Sequence, residues 1–280
     1  MQIAVVGLGL IGGSFCKSIK KYTSHTCWGL DEDEFILQQA AMEGAIDGVI
    51  TAQQLGQADL TIVCLHPQTA IDFLLRYKEQ FRPDSVVMDT CGVKQAIVDA
   101  VEGPLKERGV HFLGAHPMAG REFSGYDYAL ADLYQGASFI VTPDAELSQA
   151  VLTMVEELAK ALGFAQVVKT TPKMHDQTIA FTSQLAHVVS NAYIKSPTLQ
   201  NESGFSAGSF LDLTRVAKLN EKMWTELFLM NKTALLFELD NIMSHLAQYR
   251  TALAEGDSRT LQQLLKDGRL LKEESLEVHR

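Results

Sequence analysis

No CxxC pair occurs among the four cysteines, Cys16, Cys27, Cys64 and Cys91. That argues against a structural zinc or a redox dithiol and fits a reducing, cytoplasmic compartment. No apolar run approaches the roughly 18 residues of a membrane span. No basic n-region or small-residue cleavage site follows Met1-Gln2, so no signal peptide is expected. Internal repeats and low-complexity tracts are also lacking. Positive charge is the scarcer sign: 24 Lys+Arg against 34 Asp+Glu give a formal charge of −10 and a pI near 5.3. A basic nucleic-acid footprint is therefore not expected, nor is a membrane partner. What is present is ordinary for a globular chain, 46% hydrophobic and 21% charged, which excludes intrinsic disorder. At 280 residues the chain has room for two domains and for a core that needs no disulfides.

Short apolar runs alternate with helical stretches up to about residue 168. The runs are IAVVG at 3–7, TCWGL at 26–30, LTIVCL at 60–65, SVVMD at 85–89, VHFLGA at 110–115 and SFIVT at 138–142, with a weaker FAQVV at 164–168. Strands alternating with helices predict an α/β domain with a largely parallel sheet covered on both faces. After Thr170-Thr171-Pro172 no strand-like run follows. Long helical patterns cover roughly 173–196, 220–254 and 257–268, and the Gly/Ser-rich stretch 201–209 reads as a loop. Pro172 suits a first helical turn, Ser196-Pro197 a helix end, and Asp257 a cap. The expected organisation is a Rossmann-like dinucleotide-binding domain, 1–170, followed by an all-helical domain, 171–280, with no further domain after the polar KEESLEVHR tail.

GLGLIGG at 7–13 places Gly7, Gly9 and Gly12 in G-x-G-x-x-G spacing between an apolar strand and a helix, with Ile11 inside the loop. Gly7 permits the tight turn, Gly9 lets backbone approach a pyrophosphate, and Gly12 allows close helix–strand packing. Helix N–H groups and the positive dipole end then face the phosphates. Asp31 ends the second strand, 19 residues past Gly12, where an acid accepts from a ribose diol. Asp31-Glu32-Asp33-Glu34 would repel the 2′-phosphate of NADP, so the expected cofactor is NAD; these acids also suit a helix N-terminus.

Ligands of an open parallel sheet bind outside the strands' carboxyl ends. There the sequence places His66-Pro67, Asp89 with Lys94, and His116-Pro117. His116 is the candidate base for an alcohol hydroxyl, and a loop-bound histidine is the equal alternative. His66 and Pro67 adjoin the dinucleotide crevice, although an ordinary loop role suits His66 as well. Asp89 and Lys94 are either catalytic or a helix-start pair. In the helical half, Ser183 and His187 lie four apart on one helix face. His187 is a substrate ligand or a satisfied core histidine. Arg215 is a carboxylate fork or a partner of Asp212, and Trp224 reads as core packing.

Together these segments resemble the prephenate/arogenate dehydrogenase family of tyrosine biosynthesis. The resemblance runs through nearly the whole chain: VVGLGLIGGS at 5–14, D-x-x-x-V-K at 89–94, GAHPMAGRE-x-SG at 114–125, FTSQLAH at 181–187, and SGF…FLDLTRVA…MW at 203–224. It implies NAD-dependent oxidative decarboxylation of prephenate, or of arogenate, without a metal. His116 would polarise the ring 4-hydroxyl and Arg215 bind the substrate carboxylate. His187 would help hold the substrate side chain, with Ser183 and Glu122 as further active-site positions. The helical domain would form most of a homodimer interface. Many members carry serine immediately before Val-Lys; here that position is Gly92, with Thr90 or a water as a possible replacement for the lost hydroxyl. Two rivals are a β-hydroxyacid dehydrogenase, which uses a helix lysine where this chain offers His187, and a catalytically silent NAD-binding module.

Overall fold

The computed structural model describes residues 1–121 and 123–278. Eight strands, β1 (Gln2–Val6), β2 (Thr26–Leu30), β3 (Gly48–Val49), β4 (Leu60–Val63), β5 (Val86–Asp89), β6 (His111–Pro117), β7 (Ser138–Thr142) and β8 (Gln166–Lys169), form one sheet. Their order is β3-β2-β1-β4-β5-β6-β7-β8. Every pairing is parallel except β6 with β7. The strands follow the apolar runs because side chains alternate between two cores. Ile3, Val5, Leu60, Ile62 and Met88 face one cluster, and Ala4, Val6, Val63 and Val87 face the other. β3 is only two residues long, too short to show a period in the sequence.

Helices α1 (Leu10–Tyr22), α2 (Glu34–Met42) and α5 (Gln149–Ala161) cover the first cluster through Phe15, Ile19, Leu37, Val155 and Leu158. Helices α3 (Pro67–Tyr77) and α4 (Gln95–Lys106) cover the second through Ala70, Leu74, Ile97 and Val101. The chain reverses direction across the sheet between β4 and β1, which opens a crevice at their carboxyl ends.

The helical part is more broken than its apolar periodicity predicts. Thr171 Oγ1 accepts from the Met174 N–H and Pro172 occupies the first turn, so α6 (Pro172–Ile179) starts as expected. A π-helical turn, Ala180–Gln184, then separates it from α7 (Leu185–Tyr193). A short α8 (Gly208–Thr214) begins at the end of the expected loop. The expected helix 220–254 is two: α9 (Glu221–Met230) and α10 (Lys232–Glu255). Asn231 makes the break at φ −112° and ψ 25°. Its buried amide donates to the Asp176 carbonyl at 2.8 Å and to Gln184 Oε1 at 2.9 Å. These bonds repay the departure from helix, and apolar spacing carries no trace of them. The last helix, α11 (Ser258–Val278), runs ten residues past the expected end.

The chain packs as two compact units, Met1–Lys232 and Thr233–Arg280. In the first, α6 to α9 are tied to the sheet half: Asp176 of α6 accepts from the backbone of Lys94 and Gln95, and Glu226 of α9 accepts from the Gln68 N–H of α3. The second is a helix pair turned at Gly256, φ +67°. Asp257 caps α11 by accepting from the Thr260 N–H at 3.0 Å, and the Tyr249 hydroxyl donates to the Leu264 carbonyl. Leu246, Leu253, Leu265 and Leu271 stand exposed on this pair.

Candidate active site

Gly7 turns the chain out of β1 at φ +83°, a conformation that side-chain-bearing residues rarely adopt. A Cβ on Gly12 would fall 1.9 Å from the Gly7 carbonyl oxygen, so α1 crosses the loop at a distance only glycine allows. Gly9 caps α1, has open space where a Cβ would stand, and makes no side-chain cap bond; the first turn carries no acid. The exposed N–H groups of α1 and the space before them fit a pyrophosphate. Ile11 is half-buried in that first turn, and its carbonyl accepts from the Tyr134 hydroxyl at 2.7 Å. Asp31 ends beside the loop. Its Oδ2 accepts from the Leu8 N–H at 2.6 Å and its Oδ1 from the Asp33 N–H at 2.9 Å. The carboxylate is thereby oriented at the rim of the dinucleotide crevice, and Asp33 caps α2. His66 is exposed at the N-cap of α3, with no side-chain cap bond, and Pro67 is buried at its first position.

A fully buried ion pair ties the carboxyl end of β5 to the start of α4. Lys94 Nζ donates to Asp89 Oδ2, and both side chains are 0% exposed. Asp89 also accepts from the Cys91 N–H and, through Oδ1, from the Ala115 N–H at 3.1 Å. Of the two readings of this pair, the structural one describes its geometry: it holds the turn into α4 and the backbone just before His116. His116 itself lies within β6 rather than after it, because β7 pairs with it antiparallel to the strand's end. Its imidazole is partly buried. Burial, His175 and Lys94 all push its pKa well below the ordinary histidine value.

His116 Nδ1 lies 2.9 Å from His175 Nε2, and His175 Nδ1 lies 2.7 Å from Asp176 Oδ1. His175 is 2% exposed. The sequence reading missed both residues. Their sole sequence signal is a His-Asp dipeptide early in a helix, and nothing in the spacing links position 175 to 116. On the opposite edge of His116 is Gly92, where a Cβ would stand 4.0 Å from His116 Cε1 and Nε2 and 3.6 Å from Leu227 Cδ2. Gly92 therefore leaves room for a side chain beside the imidazole. Thr90 does not fill it, since its hydroxyl donates to the Val63 carbonyl.

A second cluster lies in the helical part. His187 stacks on Trp224 with ring centroids 3.8 Å apart, and its Nδ1–H donates to the Ser183 carbonyl at 2.9 Å. Burial lowers its pKa first and the Arg215 charge lowers it further, against the Ser183 carbonyl. Ser183, half-buried, lies in the π turn, and Arg215 is exposed at the end of α8. Helix α9 bridges the two clusters: Trp224 faces His187, and Leu227, one turn on, faces Gly92. Gln184 Nε2 fixes this helix by donating to the Leu227 carbonyl. Glu122 lies outside the described residues.

Two family models match the chain. Residues 15–169 match the prephenate dehydrogenase nucleotide-binding domain, and residues 171–267 the prephenate dehydrogenase dimerization domain. Cyclohexadienyl dehydrogenase of Zymomonas mobilis is 29% identical over 279 residues, spanning 95% of this chain and 93% of that protein. The crystal structure of prephenate dehydrogenase from A. aeolicus in complex with hydroxyphenyl propionate and NAD+ is similar at a TM-score of 0.87 and 27% identity, covering 98% of both chains. Synechocystis arogenate dehydrogenase follows at 0.83 and 26%, covering 98% of this chain and all of that one. With a glycine loop at the carboxyl end of β1, a histidine at the end of β6, and family models over both halves, the chain belongs to the prephenate dehydrogenase family of oxidoreductases.

Proposed function

We propose that the chain catalyses the NAD-dependent oxidative decarboxylation of prephenate to 4-hydroxyphenylpyruvate in tyrosine biosynthesis. The observation that carries this reading is the placement of His116: at the carboxyl end of β6, in the same sheet whose β1 runs into the glycine loop, kept neutral, with one ring edge facing the space at Gly92. Neutral imidazole can take the proton of the ring 4-hydroxyl. Arg215 provides a guanidinium for the substrate carboxylate. His187, neutral and stacked on Trp224, offers its remaining ring nitrogen to the side-chain ketone, which suits prephenate better than the ammonium group of arogenate. Bound NAD supplies a hydride acceptor. As the hydroxyl gives its proton to His116 and C4 gives up its hydride, a ring ketone forms; the ring carboxylate then leaves as CO₂, the ring becomes aromatic, and His116 returns the proton to the phenolate oxygen. On this reading residues 1–170 carry the cofactor, and 171–280 complete the substrate site and pair two subunits through their exposed leucines. Four free thiols suit a reducing cytoplasm. Initial rates with prephenate and with arogenate, each with NAD and with NADP, test the proposal. Prephenate with NAD is expected to give the highest kcat/KM; a preference for arogenate would overturn the substrate.

The preference for NAD is expected to rest on Asp31. The pair Asp31→Ser and Glu32→Arg removes the carboxylate and adds a charge for a 2′-phosphate. The ratio of kcat/KM for NAD to that for NADP should fall about tenfold or more, the equivalent of about 1.4 kcal/mol. Equal use of both cofactors by the unsubstituted enzyme would contradict this assignment.

Gly92→Ser is expected to fold, because its Cβ meets only ordinary contacts and Gly92 is not at positive φ. A hydroxyl there would add one hydrogen bond at the ring hydroxyl, worth about 0.5–1.5 kcal/mol. The KM for prephenate should drop about two- to tenfold. An inactive but folded variant would show that the space at Gly92 is needed for something else.

A further inference from the structure

We infer that His175, which the substrate cannot reach, is a positioning residue that fixes His116 in the tautomer able to accept a proton. The inference rests on His116 being the proton acceptor. The direction of the hydrogen bonds can be read from the far end of the chain. The Asp176 carboxylate accepts from the backbone N–H of Lys94 at 2.8 Å through Oδ1 and of Gln95 at 2.9 Å through Oδ2. It is an acceptor on both oxygens, so His175 Nδ1, 2.7 Å from Oδ1, must carry the hydrogen. In a neutral imidazole the other nitrogen is then bare, so His175 Nε2 accepts and His116 Nδ1–H donates across the 2.9 Å between them. That leaves the lone pair of His116 on Nε2, on the Cε1–Nε2 edge of the ring that faces Gly92.

Without His175, His116 Nε2 could carry the hydrogen and present a donor where an acceptor is needed. Two features keep the chain in this order. His175 is buried, which disfavours its protonation, and its ring meets that of His116 edge-on at 62°, with centroids 5.2 Å apart. Asp176 is held from three directions, since its own carbonyl also accepts from Asn231. The charged groups around the pair are Asp176 on α6, and Lys94 and Asp89 at the end of β5. Lys94 is held by its ion pair with Asp89, and Asp176 is the carboxylate bonded to His175.

Nitrogen NMR of the histidine-labelled enzyme reads the tautomer directly, with the His116 signals identified by their loss in His116→Asn. In the unsubstituted protein at neutral pH, His116 is expected to be protonated on Nδ1 and bare on Nε2. His175→Leu removes the acceptor at similar bulk. It should lower kcat at least about tenfold, since an imidazole in the wrong tautomer cannot act as base, move the hydrogen of His116 towards Nε2, and leave the KM for NAD within about twofold. His175→Gln keeps an acceptor near the Nε2 position and should recover most of the lost kcat with the Nδ1–H form restored. A His116 protonated on Nε2 in the unsubstituted protein would overturn the inference even if neither variant folds. So would His175→Leu with unchanged kcat and tautomer, or a folded Gln variant no better than Leu. Absence of turnover with prephenate in the unsubstituted enzyme would defeat the functional proposal and leave the NMR result standing.

Discussion

Replacing His116 with asparagine is expected to lower kcat by about 10²–10⁴ while NAD binding and the fold persist. Asparagine is of similar size and can hydrogen-bond, but it cannot accept a full proton. The pH profile is the sharper readout. Burial acts first, and His175 and Lys94 act with it, to hold the His116 pKa well below the ordinary value of 6.5. Only the neutral ring accepts a proton, so the rate should rise with pH through one ionisation on the acid side of 6.5 and stay level through neutrality. In His116→Asn that acid limb should vanish. Stability carries the same sign. The folded pKa lies below the unfolded one, so the unfolded chain binds the proton more readily, and stability falls as pH drops below about 6.5. His175 and His187 are shifted in the same direction and add to this acid sensitivity. Near-normal kcat with an unchanged profile in His116→Asn would place the proton acceptor elsewhere.

Arg215→Ala is expected to act on the substrate rather than the cofactor. A charge-assisted bond to a carboxylate contributes about 1.5–3 kcal/mol, so kcat/KM for prephenate should fall about 10- to 150-fold, mostly through KM. Arg215 lies at the end of α8, close enough to His187 for its charge to lower that imidazole's pKa. Its removal should therefore also let the His187 pKa rise, which titration by NMR can follow. Weakened NAD binding with an unaltered substrate KM would contradict the role given to Arg215.

The Rossmann half was legible because its signals are local. The central strands β1, β4 and β5 bury both faces, so their apolar runs are continuous, and the glycine spacing is dictated by contacts within one strand–turn–helix unit. The Gly12 to Gly7 approach of 1.9 Å for an added Cβ shows how little freedom that spacing has. The sequence pointed to His116 and Asp31 as candidates because strand ends are where such sheets bind ligands. The helical half was less legible. Apolar periodicity runs unbroken through Asn231 and through the π turn at 180–184, and the bonds that satisfy Asn231 at its break reach residues 47 and 55 positions away. His175 escaped for the same reason: it is 59 residues from His116, and only the folded packing of α6 against the end of β6 joins them. The Asp89–Lys94 pair left two roles open until burial and partners were known.

Hydride loss and decarboxylation are expected to occur together on prephenate. The most direct test is the stoichiometry of a single reaction of the purified enzyme with prephenate and excess NAD, following NADH by absorbance, CO₂ by trapping, and the aromatic product by chromatography. One NADH, one CO₂ and one 4-hydroxyphenylpyruvate per prephenate consumed is the predicted result. NADH formed without CO₂, or no enzyme-dependent NADH at all, would contradict it.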